Sequence, residues 1–375
     1  MNTPLNFLFL YIFISLNSFA KNNYKKDSLS NNINCYFNIK KGVNISHWLS
    51  QSNKNEKERI TYFSEEDMKL ISSIGYDHIR LPIDEKNMWS IKNKKHSLAF
   101  QSLHKAIKWA KKYNLKVIVD LHVVRSHFFN NDYNPLWDNL DEQTKFIDLW
   151  KQLSEELKGY SNDLVAYEIL NEPVANEHKK WNELLALTLK EIRVNEPYRK
   201  VIIGSNKWQS VDTFNHLKIP KNDSNIILSF HFYSPHIFTH YKAPWSKKIG
   251  FYTGSVKYPG VTVDKKDLVD YNANQIKELK EYTTLYNKST LLEKLKAPIK
   301  IAKQHNLQLY CGEFGCLPTT PNKDRMEWYK DLIHVFEKNN IAWCNWDYQG
   351  NFGIKDSETG KLNTELINVL LNKKI

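Results

Sequence analysis

Short runs of apolar and β-branched residues recur eight times along the chain, at 42–45, 78–83, 116–122, 164–170, 200–205, 225–232, 307–314 and 341–347. Between them lie stretches with helical periodicity. Ser64-Glu65-Glu66-Asp67 reads as a capping box and Gly75 as the stop of the helix it opens. Phe146, Leu149, Trp150, Leu153 and Leu157 make one apolar stripe, and Trp328, Leu332, Val335 and Phe336 another. Strands that are apolar throughout are buried on both faces, as parallel strands covered by helices are. Eight such units in alternation predict an α/β fold of the (β/α)8 TIM-barrel type.

One interval departs from this rhythm. The strands predicted from Asn225 and from Leu307 are much farther apart than any other neighbouring pair. A single crossover helix does not need that length, so residues 234–288 are expected to form a subdomain inserted after strand six. It carries Phe238, Tyr241, Trp245, Phe251, Tyr252 and Tyr258, which either wall a groove or pack a small core of their own. The loop after a barrel strand lies on the active-site face, so the insert belongs there. With 375 residues and 41% hydrophobic content, the chain can bury one large core, and residues 35–375 are read as a single catalytic domain.

Residues 5–16 are apolar but too few to span a bilayer, and Ser18-Phe19-Ala20 places small residues where a signal peptidase reads them. Residues 1–20 are therefore expected to be a signal peptide, 21–34 a flexible lead-in, and the mature chain secreted, extracellular or periplasmic, with no membrane attachment. No Lys or Arg precedes the apolar run, which keeps an uncleaved anchor as the alternative. The formal charge of +12 is spread over lysines on helix faces, with no compact basic run interleaved with aromatics, so no nucleic-acid partner is expected. Four cysteines do not make a disulfide framework in a chain this long: Cys311 and Cys344 read as buried hydrophobes, and Cys35 and Cys316 pair only if the fold joins them.

Parallel barrel strands share one mouth, and the residues predicted at their ends are Trp48, Arg80, His122, Asn171, Glu172, His231, Tyr233, Glu313 and Trp346. Strands four and seven lie across the barrel from each other, so two glutamates at their tips are expected to reach inward to the separation of about 5 Å that a retaining glycosidase needs. Glu172 is expected to act as acid and then base, and Glu313 as nucleophile. Arg80 and Tyr233 would hold Glu313 ionised, and its charge would raise Glu172. Asn171 would bind a sugar 2-hydroxyl, His122 and His231 further hydroxyls, and Trp346 would offer a flat face to a pyranose. Each residue also has a structural reading, since strand-end carboxylates are often caps and a lone arginine is often structural. His231, His236 and His240 cluster in sequence but lack a ligand spacing, so neither a metal nor another cofactor is expected. Asn44-Ile45-Ser46 is formally a glycosylation sequon inside a buried strand.

In this order, Arg80, His122, Asn171-Glu172, His231-Phe232-Tyr233, Glu313 and Trp346 resemble the pattern of glycoside hydrolase family 5. Further stretches are similar to its bacterial cellulases: Gly42-Val43-Asn44 with Trp48, Asp77-His78-Ile79-Arg80-Leu81-Pro82, Phe230 to Pro235, Val256-Lys257-Tyr258-Pro259-Gly260 and Tyr310 to Gly315. The resemblance implies a retaining endo-β-glucanase acting on β-1,4- or mixed-linkage glucan polysaccharide or oligosaccharide, without cofactor, and a monomer is expected. β-Mannanase, β-1,3-glucanase or another β-glycosidase activity is the alternative within the family, and a silent carbohydrate-binding barrel the alternative outside it. Val123 stands where many members carry a second histidine, which leaves the contacts on the leaving-group side open. Ser46-His47-Trp48 replaces smaller residues and is expected to narrow the groove toward short or differently linked chains.

Overall fold

The computed structural model describes residues 37–373 apart from Lys247. The expected signal peptide, the lead-in and Cys35 lie outside them. Eight parallel strands close into a barrel in chain order: β1 (Lys41–Asn44), β2 (His78–Asp84), β3 (Lys116–Val123), β4 (Val165–Glu168), β5 (Val201–Gly204), β6 (Ile226–Phe232), β7 (Gln308–Phe314) and β8 (Ala342–Asn345). The alternation read from the sequence is thus a TIM barrel. Long helices such as Ser97–Lys112, Leu140–Leu157, His178–Asn195 and Asn322–Lys338 lie between successive strands, and their apolar stripes are buried. None of the described helices is long and apolar enough to cross a membrane.

Alternation along the strands sorts side chains between two cores. Outward residues such as Val117, Val119, Tyr167 and Phe230 join the large cluster beneath the helices. Ile118, Ala166, Ile202, Ile227 and Tyr310 point to the other side and fill the lower barrel with Phe37 and Ile39. One layer higher the interior turns polar: Asn44, Arg80, Asp120, Glu168 and Ser229 are all fully or almost fully buried. The residues expected at the mouth rest on this layer.

Between β6 and the helix Lys288–His305 the chain forms a short helix His236–Thr239, a two-stranded antiparallel pair Gly260–Val261 with Leu285–Tyr286, and a helix Ala273–Leu279. Phe238, Tyr252 and Tyr258 are fully buried and Tyr241 nearly so, and Phe251 packs against the same core; Trp245 alone among the six aromatics is exposed. Their main work is to fold the segment, not to line a groove. Cys311, Cys316 and Cys344 are buried and free.

Two sequence expectations change here. β4 ends at Glu168, short of the expected residue 170, because the chain leaves the ladder: Asn171 N–H donates to the Leu121 carbonyl of β3, and Glu172 takes a left-handed φ of 45°. Trp48 does not stand at the mouth. Its ring is 1% exposed against Phe63, and its indole N–H donates to the Arg59 carbonyl at 2.7 Å.

Candidate active site

β7 places Glu313 by a bulge. Cys311 pairs with Phe230 and Glu313 with His231, so Gly312 is skipped on the β6 side; the register slips again against β8. Strict alternation from the inward Tyr310 would turn Glu313 out toward the helices. The extra residue reverses the phase and sends Glu313 inward and Phe314 outward. Glycine fits at the bulge because a Cβ there would come within 3.1 Å of His231 Nε2 and Ser229 Oγ. Glu172 arrives differently, on the irregular turn beyond β4. The two carboxylates nevertheless converge: one oxygen of each, with a ring nitrogen of His231, lie within 4.8 Å of one another.

Arg80 organises the layer beneath them. Its Nε donates to Glu168 at 2.7 Å, Nη1 to Glu313 Oε1 at 2.8 Å and to Asn44 at 2.9 Å, and Nη2 to Asn171 Oδ1 at 2.8 Å. Nη2 is also 3.0 Å from Asp120 Oδ2. The guanidinium thus pairs with three carboxylates, and Glu172 is not among its partners. Tyr233 donates its hydroxyl to Glu313 Oε2 at 3.0 Å. Burial raises Glu313, with Arg80 pulling it back; burial and then the charge of Glu313 hold Glu172 well above the usual carboxylate range. One cation in a dry site cannot stabilise every carboxylate around it, and the one it does not touch keeps a proton. That one is Glu172.

The histidines are neutral. Burial lowers His122 to about 4 and takes His231 well below its ordinary value. His231 Nδ1 lies 2.9 Å from Glu172 Oε1 and 3.7 Å from Glu313 Oε2, touching both carboxylates. His122 Nδ1 is held by Asp120 at 2.7 Å, and burial pushes Asp120 up to about 7 against the pull of Arg80. Among the described residues, His231 Nε2 and Asn171 Nδ2 are buried without a partner, so two donor or acceptor positions stand unused beside the glutamates. Trp346 is only 9% exposed. Its ring lies parallel to His122 at 5.6 Å, and it packs with Ala243, Leu317 and Phe352, so it is a wall shared with His122 more than an open platform.

Eight of the nine residues predicted at the strand ends therefore gather around one mouth, and Trp48 does not. Several partners were not anticipated. Asn44, Asp120 and Glu168 are the polar residues inside otherwise apolar strands, and that anomaly was the available signal. Gln209 had none: three successive left-handed residues, Lys207, Trp208 and Gln209, turn the chain back after β5, and the Gln209 side chain enters the barrel to donate to Glu168 at 2.9 Å. Gly204 leaves the space it occupies, since a Cβ there would meet Gln209 Oε1 at 2.4 Å. The same turn exposes Trp208, whose backbone N–H donates to the Pro173 carbonyl and whose indole donates to the Phe129 carbonyl at 3.0 Å.

The cellulase model of glycosyl hydrolase family 5 matches residues 40–352. Endoglucanase C of Acetivibrio thermocellus is 32% identical over 345 residues, which cover 90% of this chain and 99% of that protein. Cellodextrinase A of Ruminococcus flavefaciens is 29% identical over 308 residues, covering 81% of this chain and 84% of that one. A crystal structure of a hyperthermophilic endo-β-1,4-glucanase in complex with substrate matches with a TM-score of 0.72 at 26% identity, over 89% of this chain and 97% of the other. The paired glutamates thus sit in a chain that belongs to glycosyl hydrolase family 5, the cellulase family, and is a glycoside hydrolase.

Proposed function

We propose that this protein is an exported retaining endo-β-glucanase that cuts β-1,4-glucosidic bonds in cellulose-type or mixed-linkage glucans. The observation that carries the mechanism is the separation of the carboxylates. Oxygens of Glu172 and Glu313 within 4.8 Å match the spacing of about 5–5.5 Å in retaining enzymes and leave no room for the water an inverting enzyme places between acid and base. Glu172, protonated, gives its proton to the glycosidic oxygen while Glu313, ionised and held by Arg80 and Tyr233, attacks the anomeric carbon. The C–O bond to the leaving sugar breaks and a glycosyl ester on Glu313 forms. Glu172, now a carboxylate, takes a proton from a water that attacks the same carbon, and Glu313 is released. The free Nδ2 of Asn171 is available for the sugar 2-hydroxyl, and the neutral His231 bridges the acid and the nucleophile. Trp208, beside Pro173 on the acid's side of the cleft, is placed to meet the leaving sugar.

The names of the relatives support the substrate class: an endoglucanase along nearly its whole length, a cellodextrinase, and an endo-β-1,4-glucanase of known structure. Export rests on the apolar run at 5–16 and the small residues before Lys21. Reducing-end release and viscosity, with chelator present, on mixed-linkage β-glucan, carboxymethyl-cellulose, β-mannan and β-1,3-glucan test the reading. Rapid viscosity loss on the first two is expected, with the β-anomer formed first by proton NMR. Activity on mannan or β-1,3-glucan alone would move the substrate, and an α-anomer formed first would overturn the mechanism.

A further inference from the structure

We infer that His127, in the loop after β3, is a positioning residue for Glu172: its ring nitrogen takes the first backbone N–H beyond that glutamate and so sets where the carboxyl stands. The inference rests on the reading of Glu172 as the acid and adds what holds that acid in place.

Glu172 needs such support. It lies beyond the end of β4, on backbone that has left the ladder, and its φ of 45° is a left-handed value that a residue with a side chain keeps only where its surroundings impose it. Pro173, which follows, has no N–H to offer. The first donor after Glu172 is therefore Val174 N–H, which donates to His127 Nε2 at 3.3 Å. The next is Ala175 N–H, which donates to Asn206 Oδ1 at 2.8 Å, while Asn206 Nδ2 donates back to the Ala175 carbonyl at 2.9 Å. The Pro173 carbonyl accepts from Trp208 N–H at 3.2 Å. The three residues after the acid are thus gripped from two sides, by the loop after β3 and the turn after β5. Beyond Glu172, His127 supplies the β3 side of that grip.

His127 is itself fixed. Its N–H donates to the Val124 carbonyl at 2.9 Å, and its carbonyl accepts from Val124 N–H at 3.2 Å. The residues on either side are tied to the far arm of the same loop: Leu136 N–H donates to the Ser126 carbonyl at 3.1 Å, and Phe128 N–H to Asn134 Oδ1 at 2.8 Å. The ring is fully buried and meets Trp137 edge-on at 5.1 Å. Burial takes the imidazole down to about 3, so it is neutral at ordinary pH, and accepting at Nε2 leaves its proton on Nδ1. The neutral ring supplies an acceptor; an imidazolium has none. The bond it makes is to backbone two residues from the carboxyl, so it acts on where Glu172 stands.

The test compares kcat/KM, which reports the first chemical step, on a mixed-linkage glucan oligosaccharide and on a dinitrophenyl cellobioside, whose phenol leaves without a proton. Loss of the acceptor in His127→Leu should lower kcat/KM on the oligosaccharide about tenfold and leave the aryl glycoside within about twofold of the unmodified protein. His127→Gln, with a carbonyl oxygen at a reach similar to Nε2, should restore most of the loss. In a Glu172→Gln background, His127→Leu should have no further effect, because the group it positions is gone. A merely structural role would slow both substrates alike, escape rescue by glutamine, or add its effect in the Glu172→Gln background, and each of these overturns the assignment. An unchanged rate on the oligosaccharide overturns it too. His127→Met takes the place of leucine should that variant fold poorly, with the same outcomes. If Glu172→Gln alone slows both substrates equally, Glu172 is not the acid, and the reading beneath the inference fails whatever His127 does.

Discussion

The end of β4 and the end of β7 present the same side chain to the same cavity and give it opposite surroundings. Glu313 stands on a regular strand, re-aimed by one glycine bulge, and meets Arg80 at 2.8 Å and Tyr233 at 3.0 Å. Glu172 stands on irregular backbone with φ of 45° and has a neutral histidine as its hydrogen-bond partner. Both are desolvated, so burial alone would protonate both. What separates them is which one a buried cation touches, and that follows from the aim of a single guanidinium on β2. In the proposed mechanism, identical residues become nucleophile and acid through their neighbours and not through themselves.

The largest break in this comparison comes from Glu313→Gln. Without a nucleophile no glycosyl ester forms, and kcat should fall by about 10⁴-fold or more in single-turnover assays. The same change removes the negative charge that raises Glu172. The Glu172 carboxyl, followed by carbon-13 NMR, should then titrate at lower pH than in the unmodified protein; an unmoved titration would mean that the two glutamates are not electrostatically linked.

Glu172→Gln should cost about 10² to 10⁴ in kcat on natural glucans. Aryl glycosides with acidic phenol leaving groups need no proton, and their first step should be nearly spared. The alkaline limb of the pH profile, which reports deprotonation of Glu172, should vanish from that first step. Retention of the limb would assign it to another group.

Arg80→Lys sharpens the comparison by blurring it. A lysine ammonium cannot reproduce a planar fork that donates to Glu168, Glu313, Asn44 and Asn171 at once, so the nucleophile becomes harder to ionise. The acid limb of the kcat/KM profile, set by Glu313, should move to higher pH, with a loss of about 10² in rate. Leaving buried carboxylates unpaired should also lower stability by about 3 kcal/mol, read from denaturant unfolding.

Tyr233→Phe should have the smallest effect. One hydrogen bond to a charged oxygen is lost, worth about 1.5–3 kcal/mol, so a drop of at least about tenfold in kcat/KM is expected, with the acid limb again displaced upward. A Phe variant with an unshifted acid limb would assign Tyr233 to substrate contact alone.

The barrel was legible because its physics is local. Eight doubly covered strands must each be an apolar run, their helices must carry one apolar stripe, and neither requirement needs the other's coordinates. The outline of the site was legible for a related reason: polar and aromatic residues at the ends of parallel strands must share one mouth. The tertiary structure decided what depends on register and on distance along the chain. Periodicity by itself would point Glu313 away from the cavity, and only the pairing of β7 with β6 on one side and β8 on the other shows the bulge at Gly312 that turns it back. Trp48 looks in sequence like a cleft aromatic, yet its indole finds the Arg59 carbonyl and its ring joins the core. Gln209 reaches Glu168 because Gly204 leaves room for it, a fit between two residues of a turn that no pattern encodes. Sequence determines which residues are available to the mouth, since burial and periodicity are properties of neighbours in the chain. Which carboxylate is charged was decided by Arg80, whose partners come from four other strands or strand ends and meet only when the barrel closes.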